Sequence, residues 1–304
     1  PKRFDKILNI NKCHINHQIF NDILQISKEV AVKESMVPYD VRKHIGFLRF
    51  LVIRIGVHTD EVMVNLVTAG YKPETIKPLV DALKDKIPNI TSIVNTINTK
   101  KSNIASGSSK LLYGKDFINE KIGDYIFKIS ANSFFQTNSY QVKTLYDYII
   151  KIGDFKKTDI LYDLYCGTGT IGIYLANHVD RVYGIEIVED AIKDAKLNAQ
   201  ENNIDNINFY CGDLKDILDS DIMNDIKKPN IVIIDPPRPG LHPNTIKNLL
   251  NLSPDKIIYV SCNPSTQARD VKLFENSNYK VIDIQPIDMF PHTPHIECII
   301  TLKK

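Results

Sequence analysis

Cys262 ends an apolar run, Ile257-Ile258-Tyr259-Val260-Ser261, and is followed at once by the turn-forming pair Asn263-Pro264. A thiol at a strand end, just before a helix, is placed to react as a thiolate, because the helix dipole should lower its pKa. Glu297 opens a second apolar run, Cys298-Ile299-Ile300, and supplies a separate base. Well before both lies a glycine loop, Gly167-Thr168-Gly169-Thr170-Ile171-Gly172, with Glu186 closing the next apolar run. A nucleophile, a base and a cofactor loop on one α/β sheet point to an enzyme, and to covalent methyl transfer.

The chemistry explains why two separate groups are needed. Uracil C5 is a poor nucleophile toward a sulfonium methyl group. Adding a thiolate to C6 makes C5 enolate-like and able to attack, and a base must then remove the C5 proton before the thiolate leaves. The glycine loop fits G-x-G-x-x-G, in which glycines let the backbone approach a ligand and a strand-end acid such as Glu186 holds ribose hydroxyls. Nicotinamide and flavin enzymes use the same device. Asp163 before the loop and Gly212-Asp213 after the third strand shift the reading toward S-adenosylmethionine, with Asp213 near the adenine. Asp235-Pro236-Pro237-Arg238 follows a buried run, Ile231–Ile234, and its two prolines fix a rigid loop where open α/β sheets bind ligands. An acid before Pro-Pro suits the edge of a flipped base, and Arg238 suits a phosphate.

Elements must carry these residues to one edge. A helix is expected over 15–33, strands over 44–57 and 61–68 as a hairpin through His58-Thr59-Asp60, and a helix over 73–86. Short strands near 90–98, 110–113 and 124–130 complete a mixed α+β unit dominated by antiparallel pairing. From about Thr137 the pattern alternates. Helices are expected over 137–151, 170–178, 188–202, near 214–220, 243–251 and 265–276. Between them come strands 160–164, 181–186, 206–210, 230–235 and 256–261, with a final pair at 279–287 and 296–302. Such alternation specifies a parallel doubly wound sheet, and the closing β–β pair makes one strand antiparallel. The expected domains are 1–136, α+β and RNA-contacting, and 137–304, a class I S-adenosylmethionine-dependent methyltransferase fold with a Rossmann-like seven-stranded sheet.

Composition is that of an ordinary globular protein: 304 residues, 43% hydrophobic and 24% charged. No apolar run approaches the roughly 18–20 residues of a membrane helix, and no signal peptide opens the chain, so a cytoplasmic protein with no membrane partner is expected. Five scattered cysteines suit reduced thiols rather than a disulfide frame. Residues 1–59 hold ten Lys/Arg against five Asp/Glu, whereas the remainder holds 28 against 31. The basic first segment is compatible with phosphate contact, and Arg42, Lys43, Arg49 and Arg54 are the candidates. His292, His295 and Cys298 do not share a strand face at spacings of three, and Cys13 with His14 and His17 lacks further thiols, so no metal site is expected.

Five motifs together resemble the RNA (uracil-5-)-methyltransferase family, whose members make 5-methyluridine in ribosomal and transfer RNA. They are Phe134-Phe135-Gln136-Thr137-Asn138, the Asp163–Thr170 loop, Asp235-Pro236-Pro237-Arg238, Tyr259–Pro264 with Ala268-Arg269-Asp270, and Asp288–Glu297. The resemblance implies Cys262 as nucleophile and Glu297 as general base. It also implies Gln136, Tyr165, Glu186 and Asp235 at S-adenosylmethionine, with Phe134 and Asp235 at the RNA base, while the reading of the residues adds Gly167 and Asp213 at the cofactor and Arg238 at the substrate. Thr170 stands where some relatives carry a cofactor-touching asparagine. Many members also carry an N-terminal RNA-binding β-barrel and an iron–sulfur cysteine cluster. Neither is found in this sequence, Cys13 aligns with the fourth cluster ligand without partners, and no iron–sulfur cluster is expected in the chain, which is expected to begin after those segments. The expected partner is RNA, ribosomal first, in a loop or single strand, with no obligate protein partner and nothing demanding more than a monomer. Transfer RNA modified in its T-loop is the alternative by the same chemistry. An RNA-binding module without catalysis and a nicotinamide oxidoreductase are the alternatives of other classes, and both leave Cys262 and Glu297 without a purpose.

Overall fold

The computed structural model describes residues 9–218, 220, 223 and 226–304. Lys2, Arg3 and Lys6, part of the basic first segment, lie outside the described residues, as does Asp219 of the helix expected near 214–220. Contacts divide the chain into two compact units, Pro1–Ile118 and Asn119–Lys304.

The first unit opens with α1 (Gln18–Lys33), capped by His17, whose Nδ1 accepts from the Ile19 N–H at 3.3 Å. A four-stranded sheet follows, in order β1 (Leu48–Gly56), β2 (Glu61–Thr68), β3 (Ile90–Ile97) and β4 (Ser108–Gly114), with α2 (Pro73–Lys86) between β2 and β3. The helical crossover makes β2 and β3 parallel, while the outer pairs are antiparallel. β1 starts at Leu48 rather than His44, because residues 44–47 are spent on a turn closed by the Asp40–Ile45 bridge. Ile23, Val62, Val64, Ile76, Leu83 and Ile93 form the centre of this unit's core.

Two expected phosphate contacts are corrected here. The Arg49 guanidinium donates to the carbonyls of Asn98 (2.7 Å), Lys100 (2.6 Å) and Ser102 (2.7 Å) and lies 4.2 Å from the Tyr39 ring centroid. It fastens the 98–102 turn through both terminal nitrogens. Arg54 is part-buried, and desolvation lowers its pKa, which is the setting of a structural arginine rather than a phosphate anchor. Arg42 and Lys43 remain exposed beside Asp40, whose Oδ1 accepts from both of their backbone N–H groups at 2.8 and 3.0 Å.

The unit boundary falls within β5 (Phe117–Ile122), a strand the sequence reading did not anticipate, which pairs with β6 (Tyr125–Ser130). β6 was expected in the first domain. It belongs with the second unit because helix α5 (Glu189–Glu201) and the residue after it hold its backbone. Asn198 Oδ1 accepts from the Lys128 N–H at 2.7 Å, and the Asn202 side chain pairs with both the N–H and the carbonyl of Ile126 at 2.8 and 2.7 Å.

The second unit is a seven-stranded sheet in order β12-β13-β11-β10-β7-β8-β9. Its strands are β7 (Ile160–Leu164), β8 (Arg181–Glu186), β9 (Ile207–Cys211), β10 (Ile231–Ile234), β11 (Lys256–Ser261), β12 (Lys280–Ile287) and β13 (Glu297–Lys303). Helices α3 (Ser139–Gly153), α4 (Thr170–Leu175), α5, α6 (Leu214–Ile217), α7 (Pro243–Leu252) and α8 (Pro264–Glu275) alternate with them. β13 runs antiparallel to both β11 and β12. This is the class I methyltransferase sheet, and strands β7 and β10 are buried along their whole length, as parallel strands covered on both faces must be. Helix α4 ends at Leu175 and continues as a tighter turn, Ala176–His178.

Candidate active site

The glycine loop leaves β7 in a strained conformation. Tyr165, a side chain-bearing residue, has φ +61°, and Gly167 and Gly169 follow at +53° and +78°. A Cβ on Gly169 would meet Phe209 Cζ at 2.7 Å, so packing alone demands glycine there. A Cβ on Gly167 would meet nothing within 4 Å, so that glycine faces open space a ligand can enter. Two acids brace the loop. Asp163, fully buried, accepts from the Gly172 N–H through Oδ2 at 2.8 Å, and Glu186 accepts from Gly167 N–H (3.1 Å) and Val188 N–H (2.9 Å) with its two oxygens. The Asn198 side chain reaches the loop from behind, donating to Thr168 O at 3.1 Å. A cleft of about 540 Å³ opens here between Tyr165, Glu186, Gly212, Asp213 and His242, with Asp216 at its edge.

The expected nucleophile and base are brought together by register. In the antiparallel β11–β13 pair Ser261 faces Cys298, so the next step along each strand sets Cys262 beside Glu297. The two act on one another electrostatically, and Asp235 acts on both. Gln267, fully buried on α8, locks this register by donating to Tyr259 O (2.8 Å) on β11 and Cys298 O (2.9 Å) on β13. Glu297 is 2% exposed and its Oε1 has no hydrogen-bond partner. Burial first, and then Asp235, pushes its pKa up to about 8. Burial pushes Asp235 up to about 7, although the residue as a whole retains some exposure.

The Cys262 thiol corrects an expectation. Helix α8 does begin two residues later, capped by Asn263 Oδ1 at 3.2 Å from the Ser265 N–H. Yet the thiol is pushed up, by burial and then by the Glu297 carboxylate, and a hydrogen bond from Arg238 opposes them without prevailing. Burial, and after it the nearby carboxylate, outweighs the half-charge of a helix end. Arg238 thus sits on the nucleophile. Its carbonyl accepts from Asn263 Nδ2 (3.0 Å) and Thr266 Oγ1 (3.1 Å), tying the Pro-Pro loop to the cysteine turn.

Asp270 completes that tie. It is fully buried and accepts from Leu241 N–H (2.8 Å), Tyr259 Oη (2.8 Å) and Arg269, while Arg269 also donates to Pro239 O at 3.0 Å. Sequence reading had matched Ala268-Arg269-Asp270 as a motif without giving it work. It missed Gln267 altogether, although a Gln and an Asp spaced by three on a helix that follows the nucleophile were a usable signal. Tyr146 of α3 was also missed. Its hydroxyl pairs with Thr170 Oγ1 at 2.7 Å, so the threonine that replaces an asparagine of relatives is already engaged.

Phe134 is 67% exposed, on the 131–138 segment that also carries Gln136. That segment is anchored at one end by Ser130 Oγ donating to Asp194 at 2.6 Å, and at the other by Asn138 Nδ2 donating to Met289 O at 3.2 Å. Among the described residues no group of three or more His, Cys, Asp or Glu forms a metal site, and no helix is long and apolar enough to cross a membrane. Cys13 is held through its backbone by Asn21, at 2.8 Å and 3.3 Å.

With this geometry in place, the comparison with known proteins is decisive. Residues 57–304 match the family described as tRNA (uracil-5-)-methyltransferase. The chain belongs to this family. An uncharacterized RNA methyltransferase of Chlorobaculum tepidum is 39% identical over 307 residues, covering 100% of this chain and 64% of that protein. Another from Halalkalibacterium halodurans is 39% identical over 303 residues, covering 99% and 66%. The chain therefore spans about two thirds of the length of these curated relatives. Among solved structures, the Pyrococcus abyssi tRNA (uracil-54, C5)-methyltransferase in complex with S-adenosyl-L-homocysteine superposes with a TM-score of 0.82 at 36% identity, covering 99% of this chain and 71% of that one.

Proposed function

We propose that this protein forms 5-methyluridine in RNA from S-adenosylmethionine, through a covalent bond between Cys262 and uracil C6. The observation that carries the reading is the β11–β13 register, which sets a half-buried thiol beside a buried, unpartnered carboxylate at the rim that ends in the Asp235 loop. Membership of the uracil-5-methyltransferase family supports it.

The residues present fit the cofactor. Glu186 and Asp213 both line the cleft, Gly167 beside Glu186 keeps an open side, and Asp163 Oδ1 is buried without a partner. In this reading Tyr165, Gly167, Glu186 and Asp213 hold the nucleoside part, and Gln136 and Asp235 close around the methionine end. When bound, the cofactor supplies an electrophilic methyl group. The chain's own residues do the rest. Phe134 stacks on the target uracil, which must leave its own stack because C6 and C5 are attacked across the ring face. Asp235 holds the base edge. Cys262 adds to C6 while Arg238 offsets the thiolate's charge, and Glu297 takes the C5 proton so that the thiolate can leave.

The RNA class remains part of the proposal. Ribosomal RNA was the first expectation from the sequence, and Arg49, one of the candidate phosphate contacts, is bonded to backbone carbonyls instead. A transfer RNA T-loop uridine is favoured by the likeness to the Pyrococcus abyssi enzyme, whose substrate is a tRNA uracil. The test is to incubate the protein with S-adenosylmethionine and 5-fluorouridine hairpins of both kinds, then measure its intact mass after denaturation. Fluorine blocks the final proton removal and strands the adduct. A mass increase of RNA plus methyl, absent in Cys262→Ala, is expected, and the hairpin that reacts names the RNA class. A protein that binds S-adenosylhomocysteine but never forms an adduct, even at high RNA concentration, would refute the covalent mechanism.

A further inference from the structure

Three carboxylates share one face of the sheet at its carboxyl edge, because Asp163 pairs with Ile233, two residues before Asp235, and Glu297 follows the Ser261–Cys298 pair that precedes Cys262. Asp163 lies on β7, Asp235 directly after β10 and Glu297 at the start of β13. The Asp235 N–H donates to Leu164 O at 3.3 Å, one residue before Tyr165, which lines the cleft. Each acid is acted on by its acidic neighbours: Asp163 by Asp235 and Glu186, and Glu297 by Asp235. Two of their oxygens, Asp163 Oδ1 and Glu297 Oε1, are buried with no hydrogen-bond partner, in residues 0% and 2% exposed. Leaving such atoms unsatisfied is costly, so they mark a place where a group is missing. The other facing groups are Glu186 from β8, the neutral Tyr146 hydroxyl from α3, the Cys262 thiol after β11, and Arg238, which is turned to that thiol. The cluster therefore calls for a positive charge.

Resting on the function proposed above, we propose that Asp163, Asp235 and Glu297 together form a charge selector that grips the cationic sulfonium cofactor and releases its neutral thioether product by taking up a proton. While all three are ionised, a sulfonium neutralises part of their mutual repulsion. Once the methyl group has gone, the remaining sulfur is neutral and that compensation is lost. A proton from solvent, or the C5 proton delivered to Glu297, then restores it, and the product no longer has an electrostatic reason to stay. Burial has already raised all three acids into the neutral pH range, which makes the exchange of a proton for a sulfonium accessible under ordinary conditions.

The test is calorimetric and needs no turnover. Binding of S-adenosylmethionine and of S-adenosylhomocysteine is measured from about pH 6 to about pH 8, in buffers of different ionisation enthalpy, so that protons released are counted directly. Each proton displaced changes affinity about tenfold per pH unit. The sulfonium form is expected to release about one proton more than the thioether, so that its relative affinity rises about tenfold or more across the range. The Asp235→Asn/Glu297→Gln double variant should lose that difference, which separates the cluster from titration of the ligand's own amino group. If the double variant does not fold, Glu297→Gln alone should lose part of it. Parallel pH profiles for the two ligands, or a difference that survives in a folded variant, would overturn the selector while leaving the methyltransferase reading intact. Failure of either ligand to bind at any pH would instead remove that reading, and the selector with it.

Discussion

Glu186 and Glu297 are the same residue type at the same edge of the same sheet, yet they are built for opposite tasks. Glu186 ends a parallel strand, and each of its oxygens holds a backbone N–H of a neighbouring loop. Glu297 begins the reversed strand, is almost entirely buried, and keeps an oxygen without a partner. A carboxylate whose two oxygens each accept from a fixed backbone donor is a brace. One left unsatisfied beside another acid is held close to the point of changing its protonation state, which is what a proton acceptor needs. Glu186 is thus satisfied before any ligand arrives, and Glu297 is left unfinished.

That contrast can be broken by substitution. Removing the nucleophile has the largest effect: Cys262→Ala should lower methyl incorporation into RNA by about three orders of magnitude or more while leaving S-adenosylhomocysteine affinity unchanged. Glu297→Gln should cost about 10²- to 10⁴-fold in turnover and, unlike Cys262→Ala, should accumulate a methylated covalent adduct detectable by mass. Glu186→Gln, on the braced side, should weaken cofactor binding by about tenfold to a hundredfold with little effect on the chemical step at saturation, read as a change in cofactor KM rather than in kcat.

The smallest effect concerns stability, and its sign follows from the direction of the Glu297 shift. A carboxyl whose folded pKa is raised favours the native state only while protonated. Its contribution is full below the ordinary glutamate value and is lost as pH climbs toward about 8. Thermal unfolding followed against pH should therefore show wild type losing stability across that window by up to about 1.4 kcal/mol per pH unit relative to Glu297→Gln. Activity limited by the same base should rise with pH over the same interval. If Glu297→Gln and wild type melt with identical pH dependence, the unfinished character assigned to this rim is wrong.

Most of the candidate site could be named from the sequence because the chemistry proposed for it needs particular residue types at strand ends, and strand ends are easy to find in an alternating pattern. Cys262, Glu297, Asp235 and the glycine loop all declared themselves in this way. What holds them was harder to see. Gln267 and Asp270 act through backbone groups far away in sequence, and no local pattern says which carbonyl a buried glutamine will meet. β5 was missed because Phe117-Ile118-Asn119-Glu120-Lys121-Ile122 reads as a polar turn, whereas Glu120 is in fact fully buried. Charge counting failed at Arg49 because carbonyls accept from a guanidinium as phosphates do, and its terminal nitrogens meet three of them on a nearby turn. The thiol's expected activation failed for a related reason: the helix end was visible in the sequence, but the carboxylate across the strand pair was not.

The reversal of β13 has one more consequence. Alternate residues of a strand point to opposite faces, so which side chain meets Cys262 is decided by counting along the chain rather than by folding energy alone. One residue removed from the 288–296 connection, with the strand drawn back to match, would present Cys298 where Glu297 now stands, and one residue added would present Ile296. Neither change need disturb the sheet's hydrogen bonds. The loop ahead of β13 is in that sense a ruler, and an insertion or deletion there is an error of arithmetic that leaves a well-folded protein holding the wrong reagent.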